Sequence, residues 1–306
     1  MSGPLPHLGL LRFAGADAHS FLQGQLTHDT RRLTEGSPLL AAYCTAQGRV
    51  VAVLHLLPHT SGVIALLPRE LVAPALERLR RFVLRARVTL EDLSQQFGVV
   101  GEHGSPALQA AGLRLPDAAG YVEHAGIGVA RIGADPGRYW VIGPAASLAA
   151  HGLADERGPG GSLEQVERDW RLADIRAGLA QVYAATSELF VPQMLNLDLV
   201  DGISFTKGCF TGQEIVARTQ HLGRIKRRMF RLRLPQGSWT VGQALQLADG
   251  RAGRLTELAP VAEEFEALAV LNLDAGTADA EAAPGDAVAA VELPLPYQQR
   301  FASAAR

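Results

Sequence analysis

The stretch "VVAVLHLLPHTSGVIALLP" (50–68) constrains this chain most. It is as long as a membrane span, yet His55, Pro58, His59 and Gly62 interrupt it. A spanning helix needs about 18 or more apolar residues without such breaks. The alternative is two buried strands around a turn. Just upstream, "LLAAYCTAQGRV" (39–50) reads as a strand running into a turn at Gln47-Gly48, which makes this region a hairpin series. No membrane partner is expected.

Helices are interspersed with these strands. "DAHSFLQGQLT" (17–27) places Phe21, Leu22 and Leu26 at helical spacing behind Asp17 as a cap. "RELVAPALERLRRF" (69–82) puts Leu71, Val72, Ala75, Leu79 and Phe82 on one face and a basic side outward. "FGVVGEHGSPALQAAG" (97–112) is strand, loop and helix, with Ser105 as cap and Gly112 as stop. The best-defined helix follows a glycine-rich loop: Ser162 and Gln165 form a capping box, Val166, Trp170, Ala173 and Ala177 share a face, and Gly178 ends it. From Met229 onward, short strands alternate with Gly, Pro and Asp, which predicts a small β-barrel or sandwich as a separate C-terminal domain. The fold class is therefore α+β. The expected division is an α+β region over 1–228, holding an inserted subdomain near 47–150, and a barrel over 229–306.

At 306 residues the chain is long enough to bury a core without disulfides or metals. Its two cysteines, Cys44 and Cys209, give no disulfide framework and suit a reducing compartment. The N-terminal residues carry no export or organelle signal, so a cytoplasmic location is expected. A net charge of −2 excludes a globally basic nucleic-acid binder while leaving a local patch open. No direct nucleic-acid partner is expected. His55 and His59 are four apart, but Pro58 and the strand context argue against a helical metal pair, and no metal site is expected. No Cys-x-x-Cys, H-E-x-x-H, G-x-S-x-G or P-loop pattern occurs, so no complete catalytic constellation is present.

The chemistry concentrates in "SFTKGCFTGQE" (204–214). Thr211 to Glu214 fit the capping box, so a helix is expected from Gly212. Cys209 then precedes a helix N-terminus, whose partial positive charge favours a thiolate, and Lys207 adds a full charge. The same residues suit a buried cysteine in a tight strand-to-helix turn. In "GRIKRRMFRLR" (223–233), Arg231 and Arg233 alternate with Phe230, Leu232 and Leu234. That run is either a solvated strand face or a strip that binds phosphate or polyglutamate. Trp170 is either core or a platform for a flat heteroaromatic ligand.

"ISFTKGCFTGQEIVAR" closely resembles the K-G-C-Y/F-x-G-Q-E signature of the YgfZ-type folate-binding proteins, relatives of the glycine cleavage T-protein and other aminomethyltransferases. "GADAHSFLQGQLTHD", "AAYCTAQGRV", "DIRAGLAQVYAATSELFVPQMLNLD" and the terminal "LPLPY" resemble that family in the same order, over nearly the whole chain. The resemblance implies an aminomethyltransferase-like body of interleaved α+β subdomains and a C-terminal β-barrel around a central channel. It implies tetrahydrofolate as ligand and support of iron–sulfur cluster assembly or repair. Through iron–sulfur enzymes it also implies a role in tRNA modification. Lys207 and Cys209 are the implied working residues. Trp170, Gln213, Glu214, Arg224 and Arg228 are the expected folate contacts, and the partners are folate and iron–sulfur client or assembly proteins, with the chain a monomer. The alternative is a folate-dependent one-carbon transferase. Against it, the acid that T-proteins use is missing: no Asp or Glu lies between Glu35 and Glu70. Arg176 stands where those enzymes have a later glutamate, and Leu8 where the family has a second folate-contacting tryptophan.

Overall fold

A computed structural model of the chain describes residues 2–117, 119–132, 137–153, 162–221, 225–275 and 287–300. In chain order the first elements are β1 (Ser2–Pro4), β2 (Leu8–Ala14), α1 (Ala18–Gln25), β3 (Leu39–Cys44), β4 (Val50–His59), β5 (Gly62–Pro68) and α2 (Arg69–Arg80). They are followed by β6 (Thr89–Asp92), β7 (Phe97–His103), α3 (Pro106–Ala110), β8 (Tyr121–His124), β9 (Ile127–Ile132), β10 (Arg138–Pro144), α4 (Ala145–Ala150) and α5 (Leu163–Ala177). The last are α6 (Gln213–His221), β11 (Arg227–Leu234), β12 (Ala244–Gln246), β13 (Ala252–Val261), β14 (Glu264–Asn272) and β15 (Val291–Leu293). The class is α+β, with three five-stranded sheets in the orders β3-β4-β5-β2-β6, β1-β7-β10-β9-β8 and β12-β13-β14-β11-β15. The chain divides into two compact units, Met1–Ala41 with Leu54–Trp170, and Ala42–Val53 with Arg171–Arg306.

In the first unit, the apolar stretch forms β4 and β5, paired antiparallel from His55↔Leu66 to His59↔Gly62. Leu10, Leu57, Ile64 and Leu66 pack against Val99, Trp140 and Ile142, so the core lies between two sheets. Val100, Val129 and Val141 face the other way and are covered by Leu108 of α3 and Leu148 of α4. This two-sided burial explains why β10 reads as a continuous apolar run. The α2 face expected from Leu71, Val72, Ala75 and Leu79 is buried, but the helix ends at Arg80 and leaves Phe82 45% exposed. Asp17 stands at the N-cap position of α1 without a side-chain capping bond; its carboxylate accepts the Arg87 N–H at 2.7 Å instead. For α5, Ser162 Oγ accepts the Gln165 N–H at 3.3 Å, as a capping box requires.

In the second unit, Phe230, Leu232 and Leu234 of β11 pack with Leu245, Leu255, Ala267, Ala269 and Leu271. The expected C-terminal β-barrel is not formed. The strands make an open antiparallel sheet with β12 and β15 at its edges. Each edge strand has only three residues. Among the described residues, one isolated parallel bridge, Leu247↔Val288, stands where a closing ladder would be needed. Closure requires a continuous staggered register between the first and last strands.

Candidate functional site

Cys209 is exposed, whereas Cys44 is buried in β3. Burial pushes the Cys44 thiol up to about 12. The loop that presents Cys209 is held on both sides. Before it, Lys207 is buried with Nζ 5.0 Å from the centre of the Phe210 ring, a cation–π contact. After it, Phe210 is buried, and its N–H donates to Gln213 Oε1 at 3.3 Å while the Gln213 N–H donates to Phe210 O at 3.1 Å. This reach-back pair falls one residue ahead of the expected Thr211–Glu214 pair, and α6 begins at Gln213.

Two glycines fix where this loop sits. Gly212 has φ +83°, and a Cβ there would overlap the Thr45 carbonyl oxygen and lie 2.9 Å from Gly48 Cα. Gly48 has φ +69°, and its Cβ would lie 3.0 Å from Ile215 Cβ. The "TAQGR" turn between β3 and β4 therefore nests into the first turn of α6, and both positions need a residue with no side chain and a left-handed backbone. The turn is closed by Thr45 N–H to Arg49 O and Gly48 N–H to Thr45 O, at 2.8 and 2.9 Å. Gln193 Nε2 donates to Val216 O at 2.7 Å and ties α6 from below. Glu214 is exposed and Gln213 half-buried on the same turn, and the ring of exposed Phe205 meets His221 edge-on at 6.0 Å.

Trp170 lies in the first unit and is 2% exposed. Its ring lies over Gly101, where a Cβ would come within 2.5 Å. The Arg138 guanidinium stands 5.0 Å from the ring, His103 at 5.4 Å and Trp140 at 6.4 Å, with His55 edge-on to Trp140 at 4.6 Å. Burial, then the positive charge of Arg138, holds His55 down to about 4. Burial and the same arginine also hold His103 down to about 4. Among the described residues, the buried indole nitrogens of Trp140 and Trp170 have no hydrogen-bond partner. Leu8 is buried in β2.

Arg228 is buried in the second unit and makes a two-pronged ion pair with Asp198, at 2.6 and 2.8 Å, while also donating to Gln193 O at 3.0 Å. Its parity with Phe230, Leu232 and Leu234 on β11 shows the inward direction and was the available clue. Arg231 pairs with Glu266 at 2.6 Å, and Arg176 pairs with the same carboxylate at 2.8 Å. Burial pushes Glu266 up, but the hydrogen bonds from the two arginines outweigh it and hold the carboxyl low. Arg224 lies outside the described residues. The structure thus gathers Lys207, Cys209, Gln213 and Glu214 on one loop and helix start, and turns Arg228 into the interior. Sequence reasoning missed Glu257, which is buried and accepts from Arg171 Nη1 at 3.0 Å and from the Tyr183 hydroxyl. A bulge at Leu255/Glu257 accompanies it, and only its alternation with apolar neighbours hinted at an inward carboxylate.

No family model matches the chain. It is 34% identical over 230 residues to the tRNA-modifying protein YgfZ of Colwellia psychrerythraea, covering 74% of this chain and 69% of that protein. It is 31% identical over 304 residues to the tRNA-modifying protein YgfZ of Pectobacterium carotovorum, covering 94% of this chain and 89% of that one. Among solved structures, the glycine cleavage system aminomethyltransferase T of Bartonella henselae superposes with a TM-score of 0.69 at 16% identity, over 97% of this chain and 85% of that chain. That identity speaks for the fold alone, whereas the sequence relatives agree along most of their own length. The chain belongs to the YgfZ family, on an aminomethyltransferase-like fold.

Proposed function

We propose that this chain is a tetrahydrofolate-binding accessory protein that supports iron–sulfur cluster assembly or repair, and through iron–sulfur enzymes the modification of tRNA. Cys209 is its working thiol. The observation that carries the reading is the exposure of Cys209 on a loop locked by Gly48 and Gly212, in a chain whose other thiol is buried. Protein-bound clusters commonly take four cysteine thiolates. With two cysteines in all, this chain does not supply such a set, which suits a helper that acts on clients rather than a cluster carrier. The tRNA link follows the name of its relatives.

The folate part rests on family membership. Two of the side chains expected to hold the ligand are committed elsewhere: Trp170 is closed in a core and Arg228 is neutralised by Asp198. As placed, these two do not fit a folate, so no step is routed through it. The second reading is a one-carbon transferase, the class that the name of the structural neighbour suggests. Against it stand the absence of a carboxylate between Glu35 and Glu70 and the capture of Arg176 by Glu266. A proton acceptor near the folate nitrogens is what that chemistry needs.

Calorimetric titration of the purified protein with tetrahydrofolate, paired with an assay for formaldehyde or ammonia released from a small amine, separates the readings. Binding without turnover is expected. Turnover would move the chain to the transferase class, and no heat of binding with any reduced folate would remove folate from the account.

A further inference from the structure

Residues 78–87, "RLRRFVLRAR", carry five arginines and no acid. Arg78 and Arg80 occupy the last turn of α2, where cations offset the helix dipole. That accounts for two of the five. It does not account for Arg85 and Arg87 beyond the helix, nor for Phe82 and Leu84, which are 45% and 86% exposed. Arg81 is shared with exposed Glu77 at 3.0 Å, and Arg85 makes no ion pair among the described residues.

The segment is held at both ends while most of its side chains stay exposed. Arg81, Phe82 and Val83 turn back on Arg78, Leu79 and Arg80 through backbone bonds of 3.2, 3.0 and 3.1 Å. Arg80 Nη2 donates to Leu90 O at 3.3 Å. At the far end, the Arg87 N–H donates to Asp17 at 2.7 Å and the Asp17 N–H donates back to Arg87 O at 3.2 Å. Gly15, at φ +118°, leaves room for that carbonyl, which a Cβ would overlap. A tip pinned at both ends loses little freedom on binding, which lowers the cost of association.

We propose that this arginine tip is an RNA-binding surface, with Phe82 stacking on an unpaired base and Arg80, Arg81 and Arg85 on the flanking phosphates. Positive charge around an exposed aromatic ring is the chemistry that single-stranded nucleic acid takes. An anionic membrane is a poorer match, because the exposed α2 positions Ala73, Pro74 and Glu77 give no apolar face to lie in lipid. The inference is independent of the accessory role above, which links the chain to tRNA only through client enzymes.

The test is fluorescence anisotropy of the full chain with labelled bulk tRNA and with oligouridylate, from about 50 to 200 mM salt, the range over which phosphate contacts weaken strongly. Log affinity is expected to fall against log salt with a slope of about −2 to −3 for three contacts, at about 0.7–0.9 each. Arg85→Ala, which removes no hydrogen bond or ion pair among the described residues, should flatten the slope by about 0.7. Phe82→Ala should weaken oligouridylate binding by roughly 5- to 100-fold with the slope unchanged. No binding at the lowest salt, or both variants matching wild type, overturns the proposal. So does binding to polyglutamate or phosphatidylserine vesicles that is as tight as binding to RNA.

Discussion

Gly208 and Gly212 sit four residues apart in one motif, yet they should respond in opposite ways to the same added methyl group. Around Gly208 a Cβ meets nothing within 4 Å among the described residues. At Gly212 it meets the Thr45 carbonyl, Gly48 Cα at 2.9 Å and Gly48 N at 3.1 Å, with φ at +83°. A left-handed backbone costs an L-residue about 1–2 kcal/mol. Forcing a methyl group into packed backbone adds about 1–3 kcal/mol. Gly212→Ala should therefore destabilise the second unit by about 2–5 kcal/mol, whereas Gly208→Ala should stay within about 0.5 kcal/mol, as exposed substitutions do. For a body of about 150 residues, each kcal/mol moves Tm by roughly 2–4 °C. Differential scanning calorimetry should show a loss of at least about 4 °C for Gly212→Ala and almost none for Gly208→Ala. Alkylation of Cys209 should change with Gly212→Ala below its melting range, because relief of the overlap shifts the turn that presents the thiol. Equal melting of the two variants, or a larger loss at Gly208, would refute the interlocked-turn argument.

Breaking the buried Arg228–Asp198 pair by Arg228→Met should cost about 3–5 kcal/mol in chemical denaturation, and adding Asp198→Leu should recover part of it, since the single change strands a buried charge. Cys44 stays a neutral thiol up to about pH 12 in the fold, whereas an unfolded cysteine ionises near pH 8.5. Stability should therefore fall as pH rises through that window, by up to about 1.4 kcal/mol per unit, and Cys44→Ala should flatten the fall in urea titrations. His55 and His103 are neutral in the fold down to about pH 4, whereas an unfolded histidine takes its proton near pH 6.5. Thermal melts of the first unit should weaken as pH drops from about 6.5 to 4 and His55→Phe should reduce that dependence, with an unchanged slope counting against the burial of the imidazole.

What was legible in the sequence was local. The two strands of the 50–68 stretch, the turn at Gly48, the Ser162 cap and the Gly178 stop all follow from turn chemistry and period, and all are present. Gly178 has φ +67°, and a Cβ there would crowd the Tyr297 hydroxyl at 2.6 Å, so this stop is set by packing as well as by backbone. What failed depended on distant partners. Strand spacing after Met229 does not distinguish an open sheet from a closed one, because closure is decided by register between β12 and β15. Asp17 looked like a cap, but a strap about 70 residues away offered a better donor in Arg87. The partner of buried Arg228 is hidden in the same way, because Asp198 lies in a segment with no strand or helix pattern to announce it. In the motif the residue types pointed to Cys209, while the glycine lock needed Thr45 and Gly48 brought against α6.

The central claim is that Cys209 is the working thiol of an iron–sulfur accessory protein. The most direct measurement is complementation of a deletion strain with wild type, Cys209→Ser and Cys44→Ser, scored by iron–sulfur enzyme activity and by thiomethylated tRNA bases under oxidative stress. Immunoblots should confirm equal protein levels. Wild type and Cys44→Ser should restore both readouts, and Cys209→Ser should restore neither. Full rescue by Cys209→Ser would contradict it and leave Cys209 as an exposed residue on a loop whose task lies elsewhere.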